Sequence, residues 1–437
     1  MSTIGIAQIE NAFLPSKEID TAEKFAGRRK QVEQAYLALY AAGANITIIG
    51  NRGIGKSSLA RQIINIASGN NDLLKKLEIP HDGKMDFLTI YFACGGAVKT
   101  FQDLLFRLLT TQGCLQDWVY EIPSARKEFK SLDSKFNVQL ASLGGTIQTE
   151  TESQSAITTH SIDTIFTNVV SAIVKEKIAR DGILIVLDEF DRIENPTGFA
   201  DFLKALSTNV PGVKFCLVGV AQDIQKLMKE HGSSDRLFAG GIVYMPPMSK
   251  DELMEIIDIA EKSIKNEISF SQGAKNEIAN LAQGHPYMVH LLGKHTLRGA
   301  FTAKKNVVDA KDIETTLVRI AESEADPVLE GRYKKAVGTS PQRESVLKAL
   351  AKKVKSDGEI LTTEAYKQAL DWGVDNPSQY VGHLVTDDYG GEIVKIRERV
   401  YRFRDSLFLA YVNARPRFIE LESASENQES NGNNNGG

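Results

Sequence analysis

Gly50-Asn51-Arg52-Gly53-Ile54-Gly55-Lys56-Ser57-Ser58 gathers glycines, a lysine and two hydroxyls into one short stretch. Gly50, Gly53 and Gly55 admit backbone conformations that a Cβ forbids, so successive N–H groups can turn inward around a polyphosphate. At this spacing Lys56 can reach the β- and γ-phosphates, and the Ser57 hydroxyl can ligate Mg²⁺. Far along the chain, Asp188-Glu189 closes an apolar run. Asp188 suits the metal, directly or through water, and Glu189 suits the attacking water, which it can orient or deprotonate. Arg236, in Ser233-Ser-Asp-Arg236-Leu-Phe, offers a cation for the charge that develops in phosphoryl transfer, a role often filled from a neighbouring subunit. An ordinary surface arginine is the alternative. Arg52, inside the glycine stretch, is a second candidate for a phosphate or intersubunit contact. Glycine loop and acid pair together point to binding and hydrolysis of a nucleoside triphosphate.

These groups need elements to hold them. Ile46-Thr-Ile-Ile49 reads as a strand and Leu59-Ala-Arg-Gln-Ile-Ile-Asn-Ile-Ala67 as a helix, so the glycine stretch is a strand-to-helix loop. The helix adds the positive end of its dipole. Gly182-Ile-Leu-Ile-Val-Leu-Asp188 is apolar on both faces, as a central strand of a parallel sheet covered by helices must be. Phe87-Leu-Thr-Ile-Tyr-Phe-Ala-Cys94, Val213-Lys-Phe-Cys-Leu-Val-Gly219 and Ile242-Val-Tyr-Met245 read as further strands, the last closed by Pro246-Pro247. Helical patterns alternate with them: 32–40, 101–109, 162–179 and 199–206. Alternation of this kind implies right-handed crossovers and an α/β, doubly wound parallel-sheet P-loop NTPase core over residues 25–248. A β-hairpin insertion is expected at about 121–160, where Phe136, Val138 and Leu140 alternate with polar residues before Gly144-Gly145.

The flanks read differently. Residues 1–24 are expected to form an extended N-terminal arm. A capping box at Ser249-Lys-Asp-Glu252 opens an α-helical lid over 249–326, containing helices only and broken at Gly284-His285-Pro286. Asp326-Pro327 and Gly338-Thr-Ser-Pro341 mark a linker over 327–341. Three helices and a strand pair over 342–418 read as a winged helix-turn-helix domain, and 419–437 as a disordered tail.

Composition narrows the class of protein. With 437 residues the chain has room for two or three domains, and a net charge of −4 excludes a polycation. Cys94, Cys114 and Cys216 lack metal-ligand spacing and read as buried thiols of a reducing compartment. The N-terminus lacks the basic and apolar blocks of a signal peptide, and the longest apolar run, Ile183 to Leu187, is too short for a bilayer. A cytoplasmic protein without a membrane partner is expected.

Phe25-Ala-Gly27-Arg28, the loop ending Gly55-Lys56-Ser57, Leu187-Asp188-Glu189-Phe190-Asp191 and Gly284-His285-Pro286-Tyr287 resemble the AAA+-related STAND ATPases, nearest to their archaeal-type and origin-recognition-like members. Tyr401-Arg-Phe-Arg404-Asp-Ser-Leu-Phe408 resembles the end of the winged helix in such proteins. The resemblance spans residues 25 to about 415. It implies ATP as the nucleotide, Phe25, Gly27 and Arg28 at its adenine and ribose, and Pro286 of the lid packed over it. It also implies an ATP-dependent homo-oligomer. Two departures matter: no Asn or Thr ends the strand Leu217-Val-Gly-Val-Ala221, with Gln222 the nearest polar group, and the lid carries His285 in place of an arginine. Both point to slow hydrolysis and to ATP as a switch.

What the switch controls divides three ways. One reading is an oligomerising ATPase that recruits or activates a protein partner, as in signalling or antiviral defence. Another is a DNA-associated ATPase for initiation, transposition targeting or remodelling. The third is a binding module with a vestigial site, against which intact Lys56, Ser57, Asp188 and Glu189 argue. Lys395, Arg397, Arg399, Arg402 and Arg404 make the strand pair basic enough for phosphates. The helix over 377–388 has no Arg or Lys, ends in two acids, and offers only Gln379 and His383 to a base edge. Any DNA contact would therefore lack sequence specificity.

Overall fold

In the computed structural model, residues 4–418 are described, apart from 42, 97, 128, 130–152, 221–237, 239 and 356–357. The chain divides into two compact units, one of Glu18–Gly50 with Gly55–Pro246, the other of Met1–Lys17, Asn51–Ile54 and Pro247–Gly437. The tip of the glycine loop thus groups with the second unit, while the strand before it and the helix after it group with the first.

Helix α1 (Ile6–Ala12) begins the second unit. The expected extended arm is therefore corrected: its apolar residues Ile4, Ile9, Ala12 and Phe13 are buried, and tertiary packing orders a segment too short to be helical alone. Glu10 fixes it by a bidentate pair to Arg298, 2.7 and 2.8 Å.

The first unit follows, with α2 (Arg29–Tyr40), β1 (Ile46–Gly50), α3 (Lys56–Ala67), α4 (Asp72–Lys76), β2 (Phe87–Ala93), α5 (Phe101–Thr110), α6 (Leu115–Glu121), α7 (Ser153–Lys175), β3 (Gly182–Asp188), α8 (Phe199–Asn209), β4 (Val213–Gly219) and β5 (Ile242–Met245). The strands form one sheet in the order β2-β3-β4-β1-β5, every pairing parallel. This is the expected doubly wound P-loop core. Ile183, Ile185 and Leu187 of β3 join a cluster with Leu104, Phe166, Phe199 and Phe215 on one face. Strand alternation sends Leu184, Val186 and Asp188 to the other face, where α3 lies on β3. The expected hairpin proper, 136–149, lies outside the described residues. The ends assigned to its insertion are helical instead: α6 runs to Glu121 and α7 starts at Ser153, nine residues before the helix expected at 162.

The second unit resumes with α9 (Lys250–Ser263), β6 (Ser269–Phe270), α10 (Gln272–Ala282), α11 (Pro286–Thr302), β7 (Val307–Val308) and α12 (Ala310–Arg319). The lid region is not wholly helical, because β6 and β7 pair in parallel. Next come α13 (Pro327–Val337), α14 (Pro341–Lys352), β8 (Ile360–Leu361), α15 (Thr362–Asp371), α16 (Pro377–Val385), β9 (Ile393–Arg397), β10 (Val400–Phe403) and α17 (Ser406–Ala414). The expected linker is corrected to α13. Pro327 takes the first helical position, where its missing N–H costs nothing, and Asp326 Oδ1 accepts from Val328 N and Leu329 N, each at 2.9 Å. The last strands form a three-stranded sheet β8-β10-β9; β8 escaped the sequence reading because it is two residues long. Among the described residues no helix is long and apolar enough to cross a membrane.

Gly182 tests how β3 is seated. Its φ is +101°, and a Cβ there would lie 2.0 Å from the Gly212 carbonyl oxygen. Gly182→Ala should lower unfolding stability by roughly 2–4 kcal/mol, from backbone strain plus a clash that no rotamer relieves. A urea midpoint equal to that of the unsubstituted protein would contradict this seating.

Candidate active site

In the first unit, the residues around the glycine loop are ordered by their own backbone chemistry. Gly55 has φ +96° and serves as N-cap of α3, a position where it brings no capping side chain of its own. Lys56 opens α3, and its ammonium donates to Gly50 O at 3.0 Å, folding back on the loop. Ser57 is half-buried one position on, and Ser58 is bound elsewhere: its Oγ accepts from Ile19 N at 3.0 Å.

That bond is one of several pinning the segment up to Phe25 along α3 and α4. Gln62 Nε2 donates to Ile19 O at 2.9 Å, Asn65 Nδ2 to Asp20 O at 2.7 Å, and Lys76 Nζ to Phe25 O at 2.7 Å. Phe25 and Arg28 are buried. Gly27 and Arg28 both have positive φ, +58° and +62°, and Arg28 Nη1 donates to Pro246 O at 2.5 Å. A left-handed arginine is costly enough to need this surrounding support. Phe25, Gly27 and Arg28 thus form a fixed turn of the same unit that carries Lys56.

Asp188 ends β3 and is 3% exposed. Its Oδ1 accepts from Glu189 N and its Oδ2 from the Tyr91 hydroxyl of β2, each at 2.8 Å. Burial, and then the adjacent Asp188 carboxylate, push the Tyr91 hydroxyl well above its ordinary range, so it remains a donor. Glu189 turns with φ +53° and pairs with Arg192 Nε at 3.2 Å. Both partners are about half exposed, and such a pair holds an acid by no more than about 1 kcal/mol. One strand, β4, separates β3 from β1. Burial pushes the neighbouring Cys94 thiol up to about 12, and all three cysteines are free and buried.

The second unit contains the loop tip. Asn51 Nδ2 donates to Ser406 Oγ at 2.8 Å. A Cβ on Gly53, whose φ is +72°, would lie 3.0 Å from Leu407 and 3.4 Å from Tyr287 Cβ. Arg52 is exposed and Ile54 buried. Pro286 takes the first position of α11, behind the buried His285, and the Tyr287 hydroxyl donates to Asp326 Oδ2. Arg332 of α13 holds the α17 N-cap, bonding Asp405 at 2.7 Å and Glu392 at 2.6 and 2.8 Å. Helix α13 therefore positions Ser406 and Leu407 at the loop tip. The sequence reading missed both residues; Asp405-Ser406 was legible as a helix start, but not its neighbour 355 residues away. Arg236, Ala221 and Gln222 lie outside the described residues.

The groups present fit a nucleoside triphosphate and a hard divalent cation. Glycine backbone at φ values that side chains rarely adopt, a helix N-terminus and an ammonium suit phosphates. A hydroxyl and a carboxylate supply the hard oxygens that Mg²⁺ prefers.

The family described as Novel STAND NTPase 1 matches residues 14–322. No curated protein sequence matches the chain. Among solved structures, the Walker-type ATPase PABY2304 of Pyrococcus abyssi is similar over 91% of this chain and 98% of its own, at 16% identity and TM-score 0.51, a likeness of fold. Cdc6p from Pyrobaculum aerophilum matches over 97% and 99% at 13% identity and TM-score 0.41. The Aeropyrum pernix ORC1 protein, solved with DNA, matches over 93% and 96% at 13% identity and TM-score 0.46.

Lys56→Ala should weaken binding of a fluorescent ATP analogue by roughly thirty- to a hundredfold, the worth of about 2–3 kcal/mol in charge-assisted bonds. Unchanged affinity would remove the glycine loop from phosphate binding.

Proposed function

The chain belongs to the family of novel STAND NTPases of type 1, and on that premise we propose that it is an ATP-hydrolysing switch, in which bound ATP releases the tip of the glycine loop from α17. The observation that carries this reading is the Asn51–Ser406 hydrogen bond together with the packing of Leu407 on Gly53. A loop that must wrap its N–H groups around phosphates and also dock on a helix start has two partners competing for one backbone. Asn51, Arg52, Gly53 and Ile54 are the segment that changes partner.

The roles follow from the side chains. Backbone N–H groups from Gly50 to Ser58 and the Lys56 ammonium bind the phosphates; Phe25, Gly27 and Arg28 hold the base and sugar, and Pro286 packs over the nucleotide. Ser57 and Asp188 hold Mg²⁺, which when bound neutralises phosphate charge. Glu189 orients the water after leaving Arg192, a step that costs little for an exposed pair. Arg236 supplies a cation from a neighbouring copy. Turnover is slow, because the sequence closing β4, Leu217-Val-Gly-Val-Ala221, and the lid lack the usual sensing groups, so the bound state is the output. That output is a homo-oligomer, acting in the cytoplasm on a protein partner, with antiviral defence as one setting.

Contact with DNA through the basic strand pair is the second reading. What supports reading a winged helix into the 342–418 region is α14, α15 and α16 with a three-stranded antiparallel sheet, closed by α17. Yet Arg397 makes a bidentate pair with Glu359 at 2.8 and 2.6 Å, and the exposed residues of α16 are Ser378, Gln379 and Gly382. Nothing cationic stands on that helix, so contact would be to phosphates alone.

Ser406→Ala should raise ATP affinity about fivefold, since a lost hydrogen bond of about 1 kcal/mol no longer competes. Unchanged or weaker binding would sink the competition. Glu189→Gln with ATP should form larger particles by light scattering than without nucleotide. Growth only when DNA is added, and steeply salt-dependent, would favour the DNA reading instead.

A further inference from the structure

Tyr91 and Arg61 stand outside every motif that the sequence singles out. Tyr91 is opposite Val186 in the β2–β3 register, on the sheet face that carries Asp188. Its hydroxyl reaches two residues on and donates to Asp188 Oδ2 at 2.8 Å. Above its ring lies Arg61, whose guanidinium carbon is 3.4 Å from the ring centroid. Arg61 belongs to α3, four residues after Ser57, and residues at that spacing share a helix face. A continuous contact therefore runs from the helix bearing Ser57, through Arg61 and Tyr91, to the strand end bearing Asp188. All of it lies within the first unit.

We infer that Tyr91 is a positioning residue for the divalent cation, braced by Arg61. The inference rests on the proposed ATP and Mg²⁺ site, and deepens it. A lone carboxylate at a strand end can rotate about its Cβ–Cγ bond. Asp188 is held at both oxygens, by the Glu189 N–H at one and by Tyr91 at the other. The backbone bond alone leaves Oδ2 undirected. Tyr91 fixes the plane of the carboxylate, and an oxygen that accepts one hydrogen bond keeps a second lone pair for a metal or its water. The stacked guanidinium keeps the phenol ring from swinging away and ties its position to α3. The two oxygens expected to share the cation, on Ser57 and on Asp188, are thereby held in a fixed relation before the cation arrives. Outer groups that orient a ligand in this way commonly change metal affinity by about ten- to a hundredfold when removed.

Tyr91→Phe deletes only the hydroxyl and keeps the ring under Arg61. Binding of a fluorescent ATP analogue is titrated in EDTA and then at increasing Mg²⁺, and Mn²⁺ binding to the nucleotide complex is followed by electron paramagnetic resonance. The half-saturating Mg²⁺ and the Mn²⁺ dissociation constant should each rise about tenfold, while affinity in EDTA stays the same. Arg61→Gln should shift both in the same direction by a smaller factor. It also serves as the test if Tyr91→Phe does not fold, as judged by circular dichroism. Unchanged metal constants in a folded variant overturn the inference and leave the ATP site standing. Equal loss in EDTA and in Mg²⁺ overturns it too, since Tyr91 would then shape the pocket and not the cation. An unsubstituted protein with no Mg²⁺-dependent nucleotide binding overturns the inference and the site together.

Discussion

A buried parallel strand that ends in a carboxylate is the constraint on which the first unit depends. β3 is apolar on both faces because helices cover both, so its only polar chemistry can emerge at its carboxyl end. β1 obeys the same rule, and its carboxyl end is the glycine loop. Parallel pairing through β4 brings the two ends to one edge of the sheet. At the amino ends of β3 and β4, Gly182 against Gly212 lets the strands approach closely enough for this register.

A second constraint belongs to the other unit. The loop tip has little structure of its own, and Asn51 and Gly53 gain order from what they touch. Ser406 and Leu407 supply that contact. They are placed in turn by Asp405, by the Arg332 guanidinium and, further along α17, by a buried set in which Arg415 and Tyr411 both bond Glu330. Three side chains that would each be costly to bury alone satisfy one another there. Helix α13, which carries Glu330 and Arg332, therefore helps place the groups that touch a loop nearly three hundred residues earlier in the chain.

Much of this was legible in the sequence. The strands β1, β3, β4 and β5 announce themselves as apolar runs, and Gly50 to Ser58 followed by a helical pattern identifies the phosphate loop without any structure. The Novel STAND NTPase match bears out the family resemblance that those motifs suggested. What failed to show were features decided by tertiary contact. α1 is a helix because Ile9 and Phe13 are buried, which a seven-residue segment does not advertise. The Asp-Pro and Gly-Thr-Ser-Pro that flank α13 are turn-like signals and suggest a linker, whereas Asp-Pro also starts helices. The Tyr91–Asp188 bond depends on β2 lying beside β3, and strand order is not written in any local pattern.

For the cation proposed at Asp188, the hold on that carboxylate would have a consequence for selectivity. A carboxylate engaged by a donor at each oxygen has little freedom to turn both oxygens to one cation. Calcium takes six to eight oxygens and is well served by two-oxygen carboxylate grips, while magnesium accepts a single oxygen, a strict octahedron and several retained waters. Were Asp188 to hold the cation as proposed, its pinning would discriminate by denticity, favouring the smaller ion without any cage built to its radius.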